Sequence, residues 1–123
     1  MPTRLILAED SETLGFVIHM KLQRGGYEVT WKRDGAAAWA AIQETLPDIV
    51  ILDVMMPEMD GFEVLKRIKT TESTWQIPVI MLTARAGQED IAKGMQGGAV
   101  DYILKPFKPE DLLARVQRVR PPV

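Results

Sequence analysis

Polar residues with chemical capacity stand where short apolar runs of this chain end. Glu9 and Asp10 follow Leu5-Ile6-Leu7-Ala8, and Asp53 follows Ile49-Val50-Ile51-Leu52. Thr83 follows Val79-Ile80-Met81-Leu82, and Lys105 follows Tyr102-Ile103-Leu104. Any one of them suits a structural task; Asp10 or Ser11, for example, could serve as a helix N-cap. Three carboxylates brought together, however, repel one another unless a cation neutralises them. A hard divalent ion suits an all-oxygen ligand set, and Mg²⁺ is the natural candidate. His19 is the only histidine and belongs to a helical pattern away from these residues, so a transition-metal site is not expected. Cysteine is absent, which excludes disulfides, thiolate chemistry and Cys-ligated zinc.

The elements that must carry these residues are legible in the hydrophobic pattern. Apolar runs at residues 5–8, 27–31, 48–52, 78–82 and 100–104 predict five strands. Several are continuously apolar, as expected for strands buried on both faces of a parallel sheet. Helical spacing between them predicts buried faces of Leu14, Val17, Ile18 and Leu22, then Trp39, Ile42 and Leu46, then Leu65 and Ile68. A fourth helix over residues 88–96 has the weakest pattern, with Gly94 inside it. Pro109 suits the first position of a fifth helix, Glu110 and Asp111 complement its dipole, and Leu112, Leu113, Val116 and Val119 form its apolar face. Gly25-Gly26, residues 57–61 and Gly97-Gly98 are turns. Five β/α units predict an open, doubly wound α/β sheet with right-handed crossovers. Ligands of such sheets bind beyond the carboxyl ends of the strands, where all five polar positions fall.

At 123 residues, with 46% hydrophobic and 26% charged residues, the chain is read as one domain, residues 1–123. A formal net charge of -2 argues against direct nucleic-acid binding and against an anionic membrane. The apolar stretch at residues 5–8 is too short for a secretory signal or a membrane span, so a cytoplasmic location is expected. Met1 suits a natural start and slightly favours a stand-alone protein; Pro121-Pro122 keeps open a linker to a further domain.

Taken in order, Ile6-Leu7-Ala8-Glu9-Asp10, Asp48-Ile49-Val50-Ile51-Leu52-Asp53-Val54-Met55-Met56-Pro57, Met59-Asp60-Gly61, Pro78-Val79-Ile80-Met81-Leu82-Thr83-Ala84 and Asp101-Tyr102-Ile103-Leu104-Lys105-Pro106-Phe107 resemble the receiver domain of two-component response regulators. The likeness spans the chain and implies a flavodoxin-like (βα)5 sandwich around a five-stranded parallel sheet. It implies that Asp53 is the phosphoacceptor and that Glu9, Asp10, Asp53 and the main-chain carbonyl of Met55 hold Mg²⁺. It further implies that Thr83 binds a phosphoryl oxygen, Lys105 pairs with the phosphate, Tyr102 is the aromatic switch, and the Lys105-Pro106 bond is cis. The implied donor is a sensor histidine kinase or a phosphotransfer protein, since the chain has neither a P-loop nor a G-x-G-x-x-G motif for ATP. The implied listener is a downstream protein or a C-terminal effector domain, reached through the face of the fourth helix, fifth strand and fifth helix. The domain would catalyse only its own phosphorylation and dephosphorylation.

Some positions depart from the family pattern. Glu9 stands where many members have Asp. Val100 replaces an acid, and Ile91 replaces a lysine, of the ion pairs through which one subfamily dimerises; Asp101 and Arg115 remain, so a phosphorylation-linked dimer would lack part of that set. Met55 and Arg85, two residues beyond Asp53 and Thr83, are large enough to shield a phosphoaspartate from water and predict a long-lived phosphoform. Trp31 and Trp39 are read as packing residues, Trp75 as exposed, and Ala36-Ala37-Ala38 as good helix-forming sequence. Competing functions are an aspartyl-nucleophile phosphohydrolase, which would want an acid where Met55 stands, a flavodoxin-like cofactor binder, whose phosphate Glu9-Asp10 would repel, and a receiver-like module that works without phosphorylation.

Overall fold

The computed structural model describes residues 2–84 and 87–123. The elements run β1 Arg4–Ala8, α1 Glu12–Arg24, β2 Glu28–Lys32, α2 Gly35–Thr45, β3 Ile49–Asp53, α3 Gly61–Thr70, β4 Val79–Thr83, α4 Gln88–Gln96, β5 Asp101–Leu104 and α5 Pro109–Val119. The five strands form one parallel sheet in the order β2-β1-β3-β4-β5. This is the doubly wound α/β sheet the pattern predicts and the flavodoxin-like sandwich the resemblance implies.

Alternation along the strands explains their continuous apolar character. Leu5, Leu7, Ile49, Ile51, Ile80, Leu82 and Ile103 point into a core shared with Ile18 and Leu22 of α1 and Leu112 and Val116 of α5. Ile6, Ala8, Val50, Leu52, Val79 and Met81 point into the opposite core, under Ala38, Ala41 and Ile42 of α2 and Phe62, Val64, Leu65 and Ile68 of α3. Both faces are buried, so apolar residues are required at every step.

Strand limits shift by a residue from the sequence reading because ladder partners set them: Arg4 pairs with Glu28 and Ala8 with Lys32. Two expected core residues lie elsewhere. Val17 is 41% exposed, because α1 points Gly15, Ile18 and Leu22 inward and turns Val17 beside Phe16 toward solvent. Leu46 is 44% exposed, because it caps α2 in a left-handed conformation (φ 48°) and so leaves the helical face. Leu113 and Val119 pack only partly buried at the margin of their core. Trp31 and Trp39 pack half-buried against the two cores and Trp75 is exposed, as expected.

The helix starts explain why the site-bearing loops are short and fixed. Ser11 caps α1 by accepting the Leu14 N–H at 3.2 Å, Asp34 caps α2 through Ala37 at 2.7 Å, and Asp60 caps α3 through Glu63 at 2.9 Å. In α4 the buried residue is Gly94; a Cβ there would lie 2.8 Å from Cδ2 of Tyr102. The glycine that weakens the helical pattern is what lets α4 lie against the β5 aromatic. Among the described residues no helix is long and apolar enough to cross a membrane.

Candidate functional site

Parallel pairing brings the ends of β1, β3, β4 and β5 to one edge, and the predicted residues meet there. Glu9 is fully buried and Asp53 is 3% exposed, while Asp10 is exposed. One carboxylate oxygen from each of the three lies within 4.8 Å of the other two. Lys105 reaches back from the end of β5, and its Nζ lies 2.8 Å from both Asp53 Oδ2 and Glu9 Oε1. The Asp53 contact is a directed hydrogen bond. At Glu9 Oε1 it is a charge contact only, and this buried oxygen accepts no hydrogen bond. The other Glu9 oxygen accepts the Ser11 N–H at 3.0 Å, and Asp53 Oδ1 accepts the Met55 N–H at 3.3 Å.

Lys105 is aimed by its backbone. Its N–H donates to the Thr83 carbonyl at 2.9 Å, and the Lys105-Pro106 peptide is cis. Thr83 is buried at the end of β4. Tyr102 is half-buried on β5, packed against the core beneath α2 and α3. Met55 is exposed and, with Asp10, Val54, Met56 and Asp60, lines an open cleft of about 390 Å³ beside the acids. His19 lies in α1 outside this group, as expected. Arg85 lies outside the described residues.

The electrostatics are those of an incompletely neutralised cluster. Burial pushes the Glu9 carboxyl above the ordinary glutamate range and the Asp53 charge adds to this, against the pull of Lys105 and the Ser11 N–H. Burial by itself would lower the Lys105 pKa, but Asp53 and Glu9 outweigh it and hold the ammonium above the usual lysine value. With all groups ionised, three carboxylates against one ammonium leave two negative charges in surplus. The all-oxygen donors, the charge and a Glu9 Oε1 that makes only a charge contact with Lys105 fit a hard divalent cation.

Sequence reasoning treated Trp31 as packing alone. It does pack, but its Nε1–H also donates to the Glu9 carbonyl at 2.9 Å, and Arg33 Nη2 donates to the Asp10 carbonyl at 3.1 Å. No sequence motif signals either contact, since both depend on where β2 ends beside β1.

An acidic cluster and a lysine at the carboxyl edge of this sheet define a class. The chain matches the family model of the response regulator receiver domain over residues 5–117, and it belongs to that family. A relative in Synechocystis sp., the DNA-binding dual master transcriptional regulator RpaA, is 38% identical over 114 residues, which cover 93% of this chain and 47% of RpaA. The chain thus spans about half the length of the curated relatives it matches. Among solved structures, the chemotaxis response regulator CheY4 of Vibrio cholerae superposes with a TM-score of 0.90 at 35% identity, covering 97% of this chain and 99% of CheY4. The receiver domain of the sensor histidine kinase PA1611 from Pseudomonas aeruginosa, with a magnesium ion coordinated in its active site cleft, superposes with a TM-score of 0.87 at 33% identity over 96% of this chain and 97% of that one.

Proposed function

We propose that this chain is a phosphorylation-driven switch that accepts a phosphoryl group on Asp53 from a phosphohistidine of a sensor kinase or phosphotransfer protein. The observation that carries the proposal is Asp53 at the end of β3, with Lys105 Nζ 2.8 Å from Oδ2 and the Glu9 and Asp10 carboxylates beside it. Glu9, Asp10, Asp53 and the main-chain carbonyl of Met55 would hold Mg²⁺. That ion supplies neutralisation of the charge on the transferring phosphoryl oxygens.

The chain's own residues do the rest. A carboxylate oxygen of Asp53 attacks phosphorus; as the P–O bond forms, the P–N bond to the donor imidazole breaks and its electron pair returns to the ring nitrogen. Lys105 holds the Asp53 carboxylate before transfer and stabilises phosphoryl charge after it. The Met55 N–H fixes the second Asp53 oxygen. The acyl phosphate adds charge and acceptor oxygens at the buried end of β3. Thr83 moves to a phosphoryl oxygen, Tyr102 repacks, and the α4-β5-α5 surface changes. Couplings of this kind amount to about 1–3 kcal/mol. A downstream protein or an attached effector domain reads that surface. The chain's chemistry is confined to its own Asp53, and it works in the cytoplasm beside its kinase.

Intact mass after incubation with Mg²⁺ and acetyl phosphate tests the proposal. One added phosphoryl group is expected in the wild type, and none without Mg²⁺ or in Asp53→Asn. If the wild type gains no mass and forms no beryllofluoride complex, the phosphoacceptor role is wrong and a phosphorylation-independent docking module takes its place.

A further inference from the structure

The acidic turn of buried Glu9 and exposed Asp10 is held from the edge strand β2 and the residue that follows it. Its ladder with β1 stops at the Ala8–Lys32 pair, after which the Glu9 N–H still reaches the Lys32 carbonyl at 3.0 Å. Beyond that point side chains take over from the ladder. Trp31 Nε1–H donates to the Glu9 carbonyl at 2.9 Å, and Arg33 Nη2 donates to the Asp10 carbonyl at 3.1 Å. Trp31 and Lys32 of β2 and Arg33 just beyond it therefore fix the main chain of Glu9 and Asp10 on the side away from Asp53.

The indole can lie there because α1 makes room for it. A Cβ on Gly15 would stand 2.1 Å from Cζ2 and 2.3 Å from Cε2 of Trp31. No side chain fits at that position without expelling the ring, so Gly15 and Trp31 form one packing unit. His19, a turn further along α1, meets the same indole at 6.3 Å between ring centroids. The ring is thus held between α1 and the Glu9 backbone, with its single donor aimed at the carbonyl.

From this we infer that Trp31 is a positioning residue for the cation site, acting through the Glu9 main chain and depending on Gly15. The inference rests on the proposed Mg²⁺-dependent phosphoacceptor. Glu9 Oε1 has the Lys105 charge contact and Oε2 the Ser11 N–H, while the main chain sets where the carboxylate stands, and the Trp31 donor closes the one main-chain group of Glu9 that the ladder leaves open. Losing that donor loosens the Glu9 main chain at its carbonyl, while Lys32, Ser11 and Lys105 keep their contacts, and so weakens ligation without touching the reacting atoms.

The test is Trp31→Phe, which keeps an aromatic ring and removes the N–H, with Mg²⁺ affinity of the unphosphorylated protein measured by titration calorimetry. Loss of one such hydrogen bond predicts a dissociation constant higher by about three- to ten-fold. In acetyl phosphate reactions the Mg²⁺ concentration for half-maximal rate should rise by the same factor, with the rate at saturating Mg²⁺ retained. A purely structural role would lower the active fraction and leave the affinity alone; an unchanged dissociation constant overturns the inference. Should Trp31→Phe fail to fold, the wild-type indole N–H resonances decide. The Trp31 signal is expected to shift along the Mg²⁺ titration while that of the exposed Trp75 stays; a stationary Trp31 signal overturns the inference. A wild type that binds no Mg²⁺ and takes up no phosphoryl group would instead defeat the phosphoacceptor reading beneath it.

Discussion

Glu9 and Asp10 are adjacent acids with different physical situations. Asp10 faces water, whereas Glu9 is fully buried and shares the Lys105 ammonium with Asp53. Because its folded-state pKa is raised, Glu9 contributes most to metal-free stability when protonated. That contribution is lost as pH rises from the ordinary glutamate value of about 4.3 through the higher folded value. Glu9→Gln should therefore be more stable than the wild type in EDTA at pH 7, by about 1 kcal/mol in urea melts, with the gap closing as the pH falls toward 4. The same variant should lose the stabilisation that Mg²⁺ gives the wild type, which a metal titration followed by thermal melting reads directly. Equal stability at pH 7 would show that Lys105 already cancels the burial penalty.

At the level of the elements, α4 shows local propensity and tertiary packing in conflict. Gly94 weakens the helix intrinsically by about 1 kcal/mol relative to alanine. Gly94→Ala should nevertheless destabilise the protein, since the added methyl meets the Tyr102 ring at 2.8 Å and overpacking of this kind costs about 1–3 kcal/mol. A lower urea midpoint together with a displaced Tyr102 ring signal is the expected result; a more stable variant with Tyr102 unmoved would falsify the packing account. The helical pattern predicted α4 over the correct residues but as the weakest element, because periodicity registers side chains and the partner here is a missing one. The converse holds for α1 and α2. Val17 and Leu46 matched an apolar periodicity, yet the inward angle of Gly15, Ile18 and Leu22 and the left-handed cap at Leu46 place them at the surface.

Across the whole molecule the chemistry sits at one edge of the sheet and chain closure at the other. The segment after α5 returns to the amino ends of β1 and β2. Thr3 N–H donates to the Pro122 carbonyl at 2.9 Å, the Tyr27 hydroxyl donates to the Arg120 carbonyl, and Arg120 pairs with Asp48 at 3.2 Å. Burial raises the Tyr27 pKa, so its phenol stays a donor; this stabilisation is present below the ordinary tyrosine value of about 10 and is lost as pH rises through the higher folded value. Tyr27→Phe should cost about 1 kcal/mol of stability at neutral pH. Because the contact lies at the opposite edge from Asp53, phosphoryl uptake from acetyl phosphate should be unchanged. A parallel fall in uptake would mean that the two edges are coupled.

The sheet, its four crossovers and the meeting of Glu9, Asp10, Asp53, Thr83 and Lys105 were all legible in the chain. Apolar runs buried on both faces have to be parallel strands, and a parallel sheet sends every strand's carboxyl end to the same edge. What pattern could not reach were contacts made by single atoms between distant elements. The Lys105 ammonium lies between Asp53 and Glu9, Glu9 Oε1 is left without a hydrogen bond, and the Trp31 N–H reaches the Glu9 carbonyl. Hydrophobic periodicity carries information on which face a residue occupies. The distance between two polar atoms depends on strand register, helix angle and the space a glycine leaves, and these are settled only when the elements pack.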